Sequence, residues 1–178
     1  MEPYALVMNL KLTDLFLAEL EREAKGTRRA LERVPDGRHD FQPHKKSMTI
    51  GGLATLVAGM PGWVSMMIDM DELDLNPPGG QQYRPPKPGS NAELLKAHDE
   101  ALDKARQSLS KTTDEHLMKP WKLLVAGKVV VESPRHIMIR DSINHLAHHR
   151  GQLTVFLRLL DVPVPAIYGP SADDARFD

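Results

Sequence analysis

The sequence predicts an all-α fold, a four-helix bundle, and three observations lead to this prediction. Four long stretches repeat apolar residues at intervals of three and four, the spacing that gathers side chains on one helix face. Only one short segment has the pattern of a β-hairpin. The 178 residues are enough to bury one core, so we predict a single domain over residues 1–178.

The first predicted helix begins at Thr13 or Asp14, because either side chain can accept hydrogen bonds from the amides of a first turn. It ends before Pro35, which cannot continue a helix. Charged residues fill the positions between its apolar residues. We interpret them as a solvated face, with partner binding as the alternative.

The second predicted helix runs from about Ser47 or Thr49 to about Met70, with Leu56 near the middle of its apolar stripe. Pro61 lies inside this stretch and predicts a kink, since proline removes one backbone hydrogen bond. Such a kink either shapes a pocket or only adjusts the packing.

A polar, proline-rich and glycine-rich crossover follows over residues 71–90 and is expected to lie on the surface. Ser90 or Asn91 caps a third helix, on which we place His98 at the surface. Residues 121–132 contain two short apolar runs around Ala-Gly-Lys, which predicts a small β-hairpin before the last helix.

The last predicted helix contains three histidines within five residues. His145 and His149 are four residues apart, so their imidazoles stack on one side of the helix, as in helical metal sites. His148 points nearly the opposite way. The alternative is a hydrogen-bonded core histidine at His149 and a boundary residue at His145. The apolar arc of this helix comprises Ile139, Ile143, Leu146, Leu153, Leu157 and Leu160.

Composition excludes several classes of function. A net charge of −1 argues against nucleic-acid binding, which needs a basic face. The chain has no cysteine, so it offers neither a thiolate ligand nor a disulfide. The sequence has no apolar run long enough for a membrane span. We therefore expect a cytoplasmic protein with no nucleic-acid or membrane partner.

The motif HLAHHRGQL (residues 145–153), followed by VPAIYGPSAD (164–173), resembles the last helix and tail of the DinB-like family. The segments KSMTIGGLA (46–54) and MPGW (60–63) resemble its second helix. The resemblance covers most of the chain and implies a damage-inducible four-helix bundle that forms a homodimer.

The resemblance also implies a divalent metal, zinc or nickel, held by three histidines, of which His145 and His149 are two. The position of the third ligand falls on Leu56, which cannot donate to a metal. The family includes enzymes that use a bound metal to activate a low-molecular-weight thiol for transfer to an electrophile, and thiol-dependent isomerases of maleylpyruvate type share the fold.

Other residues offer a replacement ligand or a supporting role. Met60 and His44 are the candidate third donors. Gln152 lies on the flank of His145 and is a candidate for orienting a ligand. Arg150 is expected to form a structural ion pair with a core carboxylate, with a substrate contact as the alternative.

Two functional hypotheses follow. The first is a metal-dependent thiol transferase or hydrolase whose activity is weakened or lost because Leu56 replaces a ligand. The alternative is a non-catalytic bundle that binds a small apolar molecule or a protein partner in a stress response.

Overall fold

The protein is mostly helical and carries a small three-stranded sheet, so the all-α prediction holds for most of the chain. The computed structural model describes residues 10–81 and 89–177. The proline-rich part of the predicted crossover, residues 82–88, lies outside the described residues. The elements are α1 (Leu12–Glu32), α2 (Ile50–Gly59), α3 (Pro61–Asp69), β1 (Glu72–Asp74), α4 (Asn91–Lys111), α5 (Asp114–Leu117), β2 (Pro120–Val125), β3 (Lys128–Pro134) and α6 (Arg135–Leu159).

Helix α1 is capped by a distant carboxylate and not by its own first residues. The amide of Leu12 donates to Oδ2 of Asp114, which is 102 residues further along the chain, at 3.0 Å. The predicted caps Thr13 and Asp14 lie inside the helix instead. That prediction was wrong because local sequence does not reveal a cap supplied by α5.

The second predicted helix is two helices, α2 and α3, whose axes differ by 45°. Thr49 caps α2 by accepting from the amide of Gly52 at 3.1 Å, and Pro61 begins α3, where its missing N–H is tolerated. The predicted kink is confirmed. Within residues 10–81 and 89–177, no single helix is long and apolar enough to span a membrane. Only the bent pair of α2 and α3, taken together, has the length and composition of a span.

Helix α4 begins with a capping box between Ser90 and Glu93, as the predicted cap implies. The surface position expected for His98 was wrong, because its side chain is fully buried. His98 lies four residues from both Leu94 and Leu102, on the face of α4 that packs into the core, whereas Asp99 turns outward and pairs with Arg28 of α1 at 3.2 Å.

Burial makes His98 a source of acid sensitivity. It lowers the pKa of the imidazole, and Asp99 and the carbonyls of Ala24 and Ala58 oppose this shift only in part. Neither ring nitrogen has a hydrogen-bond partner of good geometry among the described residues. In the unfolded chain the pKa of His98 has its ordinary value of 6.5. In the folded protein the imidazole is therefore protonated only at a lower pH.

We expect the free energy of unfolding to fall as the pH is lowered below about 6.5, because the unfolded state then binds more protons than the folded state. His98→Leu should remove most of this dependence, whereas the same change at the exposed His148 should retain it. Urea denaturation between pH 5 and pH 8 measures the free energy of unfolding of both variants. An equal dependence of this free energy on pH in the two variants would contradict the role of His98.

The predicted hairpin is confirmed by β2 and β3, joined through Ala126 and Gly127 with φ angles of 52° and 76°. The sequence did not predict β1, which pairs parallel to β2. Asp74 at the end of β1 accepts from the amides of Ala126 and Gly127 at 3.1 and 2.7 Å. The start of the crossover is therefore fixed to the hairpin turn.

Helix α6 packs against α1, α2 and α3 and contributes to both core clusters. One cluster includes Ile139 and Ile143 together with residues of α1, α3, α4 and β2. The other includes Leu146, Leu153 and Leu157 together with residues of α1 and α2. The predicted apolar arc is therefore the face that α6 buries.

Candidate functional site

Three of the four histidines of α6, namely His145, His148 and His149, form a cluster at the surface. The ring centroids of His145 and His149 are 4.6 Å apart, and the ring of His148 lies 5.2 Å from that of His149. Trp63 of α3 packs against His145 at 5.6 Å. The four-residue spacing brings the imidazoles together as predicted, although His149 is only half-buried and the adjacent Arg150 is fully buried.

The environment favours a neutral imidazole at His145. Partial burial lowers the pKa of this ring, and the nearby imidazoles of His149 and His148 add to the shift. A neutral imidazole keeps one nitrogen lone pair for accepting a hydrogen bond or binding a metal.

Gln152 links the other two histidines. Nδ1 of His149 donates to Oε1 of Gln152 at 2.8 Å, and Nε2 of Gln152 donates to Nε2 of His148 at 3.1 Å. This assignment leaves Nε2 of His149 as an acceptor. Gln152 thus orients His149, whereas the sequence suggested the flank of His145.

The residues present do not fit a metal site with three protein ligands. Leu56 lies one turn before Gly59 on α2, and Gly59 lines the same pocket as His145. Leu56 itself is partly buried against the core cluster that contains Leu146, is not among the residues that line that pocket, and carries no donor atom for a metal. Across residues 10–81 and 89–177, no group of three or more His, Cys, Asp or Glu side chains could hold a metal ion.

The two candidate replacement donors are engaged elsewhere. The side chain of Met60 is fully buried in the core cluster formed by α1, α2 and α6. His44 is exposed in the loop before α2, where its Nδ1 accepts from the amide of Lys46 at 3.1 Å. Neither residue completes a site with His145 and His149.

A cavity of about 500 Å³ opens beside His145, where α3, the sheet and α6 meet. Gly59 and Trp63 lie on either side of the bend between α2 and α3, and both line the cavity. The kink at Pro61 therefore shapes a pocket. The other lining residues are Met66, Met67, Leu73, Leu75, Trp121, Leu123, Met138, Asp141 and Ser142.

The pocket has apolar walls and polar groups at one side. Its methionines, leucines and tryptophans come from α3, α6 and the sheet, whereas Asp141, Ser142 and His145 all lie on α6. Its volume falls in the range of about 300–1,000 Å³ that is common for small-molecule sites. The pocket was not predicted from the sequence, because β1 and β2 supply part of its wall.

Arg150 holds α6 to α1 and to the C-terminal tail. Its Nη2 lies 2.7 Å from Oε2 of Glu23, and its Nη1 donates to Oγ1 of Thr27 at 3.1 Å. The hydroxyl of Tyr168 donates to Oε2 of Glu23 at 2.8 Å and also contacts Arg150. The expected structural ion pair is confirmed, and Glu23 is buried, contrary to the solvated face predicted for α1.

Comparison with known proteins places these features in a family. The sequence model of the DinB family matches residues 8–176. YrdA of Bacillus subtilis strain 168, an uncharacterized protein, is 27% identical over 165 residues, which cover 92% of this chain and 93% of YrdA.

Solved structures show the same fold. A DinB-like protein from Bacillus cereus ATCC 10987 superposes with a TM-score of 0.67 and 22% identity, over 86% of this chain and 95% of that one. The DinB-like protein YjoA of Bacillus subtilis superposes with a TM-score of 0.62 and 14% identity, over 83% and 92%.

The fold and the site define a small helical protein with an apolar pocket lined by His145, whose ring lies against that of His149. The chain belongs to the DinB family. The resemblance of its last helix and tail to that family is therefore confirmed.

Proposed function

We propose that this protein binds a small, mainly apolar molecule in the pocket beside His145. The observation that supports this proposal most strongly is the apolar lining of a cavity with a volume of about 500 Å³. Burying the apolar surface of a ligand there drives binding, and the flexible thioethers of Met66, Met67 and Met138 adapt to its shape.

The polar groups of α6 fix the orientation of the molecule. His145, whose pKa is lowered by partial burial, offers a neutral imidazole at the pocket mouth. The hydroxyl of Ser142 lies one turn earlier on the same wall. A ligand with an apolar body and one polar end satisfies both the walls and these groups.

A metal-dependent thiol transferase or hydrolase is the second candidate. The adjacent rings of His145 and His149 and the orientation of His149 by Gln152 favour it. We place it second because the family resemblance puts the third ligand at Leu56, which cannot donate to a metal, and two imidazoles alone hold zinc or nickel weakly.

The two tryptophans of the chain both line the pocket, so their fluorescence reports on it directly. Titration with 1-octanol is expected to change the emission of Trp63 and Trp121 in a saturable way. A linear, unsaturable response would contradict the proposal.

Gly59→Leu tests the location of this binding. A side chain at Gly59 meets no atom within 4 Å of its Cβ, so leucine fits without moving the core and narrows the pocket. We expect the affinity for 1-octanol to fall about tenfold or more, since apolar contact area is lost. Gly151→Leu is the matched control, because Gly151 is also helical with open space around its Cβ but lies outside the pocket. Equal affinities in the two variants would place the binding elsewhere.

The remaining expectations stay predictions. They are the homodimer, the cytoplasmic location and a role in a stress response. A protein partner of the bundle remains a prediction in the same way.

A further inference from the structure

We propose that the pocket selects apolar molecules that carry a single positively charged amine, and that Asp141 is the residue that selects them. This inference rests on the proposed function, because it names the chemical class of the ligand for the same site. It follows from the charge at the rim of the pocket and from the aromatic wall beside it.

Among the residues that the structure describes, Asp141 is the one charged side chain that lines the cavity, and neither a lysine nor an arginine does. The field at its mouth is therefore negative, which favours a cationic group and opposes a carboxylate.

The carboxylate of Asp141 also has no counter-ion in the part of the chain that the structure describes. Among the described residues no ion pair forms with it, whereas other charged residues of α6 are paired. Arg140 pairs with Glu19 at 2.9 Å, and Arg150 pairs with Glu23 at 2.7 Å. Asp141 is exposed at the rim, so an incoming amine can neutralise it without displacing a protein cation.

Aromatic rings in the pocket also favour a cationic ligand. Trp63 packs beside His145 at the mouth of the pocket, and Trp121 forms part of its wall. The face of an indole attracts an ammonium group. An alkyl or aryl body between Met66, Met138 and Leu123 would then leave its amine near Asp141.

Three probes with the same body separate charge from apolar burial. They are octylamine, 1-octanol and octanoate, titrated at pH 7.5 with tryptophan emission as the readout. We expect octylamine to bind about three- to tenfold more tightly than 1-octanol, and octanoate to bind more weakly by a similar factor, because the carboxylate is exposed.

Asp141→Asn removes the charge while keeping the shape of the side chain, and should bring the three affinities together. Asp161→Asn is the control with the same charge change, since Asp161 is exposed just after α6 and outside the pocket. It should retain the preference for octylamine.

The outcomes separate the inference from the function on which it rests. Equal affinities for octylamine and 1-octanol in the wild type, or a preference that survives Asp141→Asn, would overturn the selection by Asp141 and leave the pocket as a binding site. Absence of saturable binding by all three probes would overturn both.

Discussion

Replacing Arg150 with methionine is expected to lower the free energy of unfolding by about 3–5 kcal/mol, because it breaks a buried ion pair and leaves an uncompensated charge. Glu23 would lose its cationic partner while remaining buried between α1 and α6. The tail would also lose a contact, since Tyr168 touches both residues. Urea denaturation at pH 7 measures the change.

Arg140→Met is the matched control in the same helix. Arg140 pairs with Glu19 on the surface, with half of its own side chain exposed, so its loss should cost no more than about 1 kcal/mol. Adding Glu23→Leu to Arg150→Met should recover part of the lost stability, because no buried charge then remains. Similar losses for Arg150→Met and Arg140→Met would show that the Arg150 network is not a main tie between α1 and α6.

Replacing Leu56 with histidine is expected to convert a chain that retains little divalent metal into one that retains about one equivalent, as sites with three protein ligands do. We expect the new imidazole, one turn before Gly59 on α2, to approach the pair formed by His145 and His149, because Gly59 lines the pocket beside His145. Elemental analysis of untagged protein, purified without chelator, measures the metal.

Two variants define the ligands of that engineered site. Leu56→His combined with His149→Ala should lose the metal again, whereas Leu56→Gln should stay empty because a neutral amide is a poor donor for zinc. Wild-type protein with one equivalent of metal that His149→Ala removes would contradict this expectation, and would favour the metal-dependent enzyme.

Features that depend on local periodicity were predictable from the sequence. The apolar arc of α6, the adjacent rings of His145 and His149 and the bend at Pro61 all follow from residues within a few turns of one another. The hairpin was equally local, because its turn needs positive φ angles that Gly127 adopts easily. Each of these predictions required knowledge of only one segment.

Features that depend on distant segments were not predictable. The cap of α1 comes from Asp114, and the partner of Glu23 comes from α6. His98 is an exception, because its burial follows from local spacing: it lies four residues from both Leu94 and Leu102 on the buried face of α4, and its charged neighbours obscured this. The pocket could not be predicted either, since its walls combine residues of α2, α3 and β1 with residues of β2 and α6, which are distant in the chain.

The position of the methionines allows the most direct test of a small-molecule site beside His145. Spectra of protein with ¹³C-labelled methionine methyl groups, recorded during titration with 1-octanol, report on all regions that contain methionine. Met66, Met67 and Met138 line the pocket, whereas Met48 and Met118 are exposed elsewhere. We expect saturable shifts for the three pocket methyl groups and little change for the two exposed ones. Shifts confined to Met48 and Met118, or no saturable shift at all, would contradict ligand binding in this pocket.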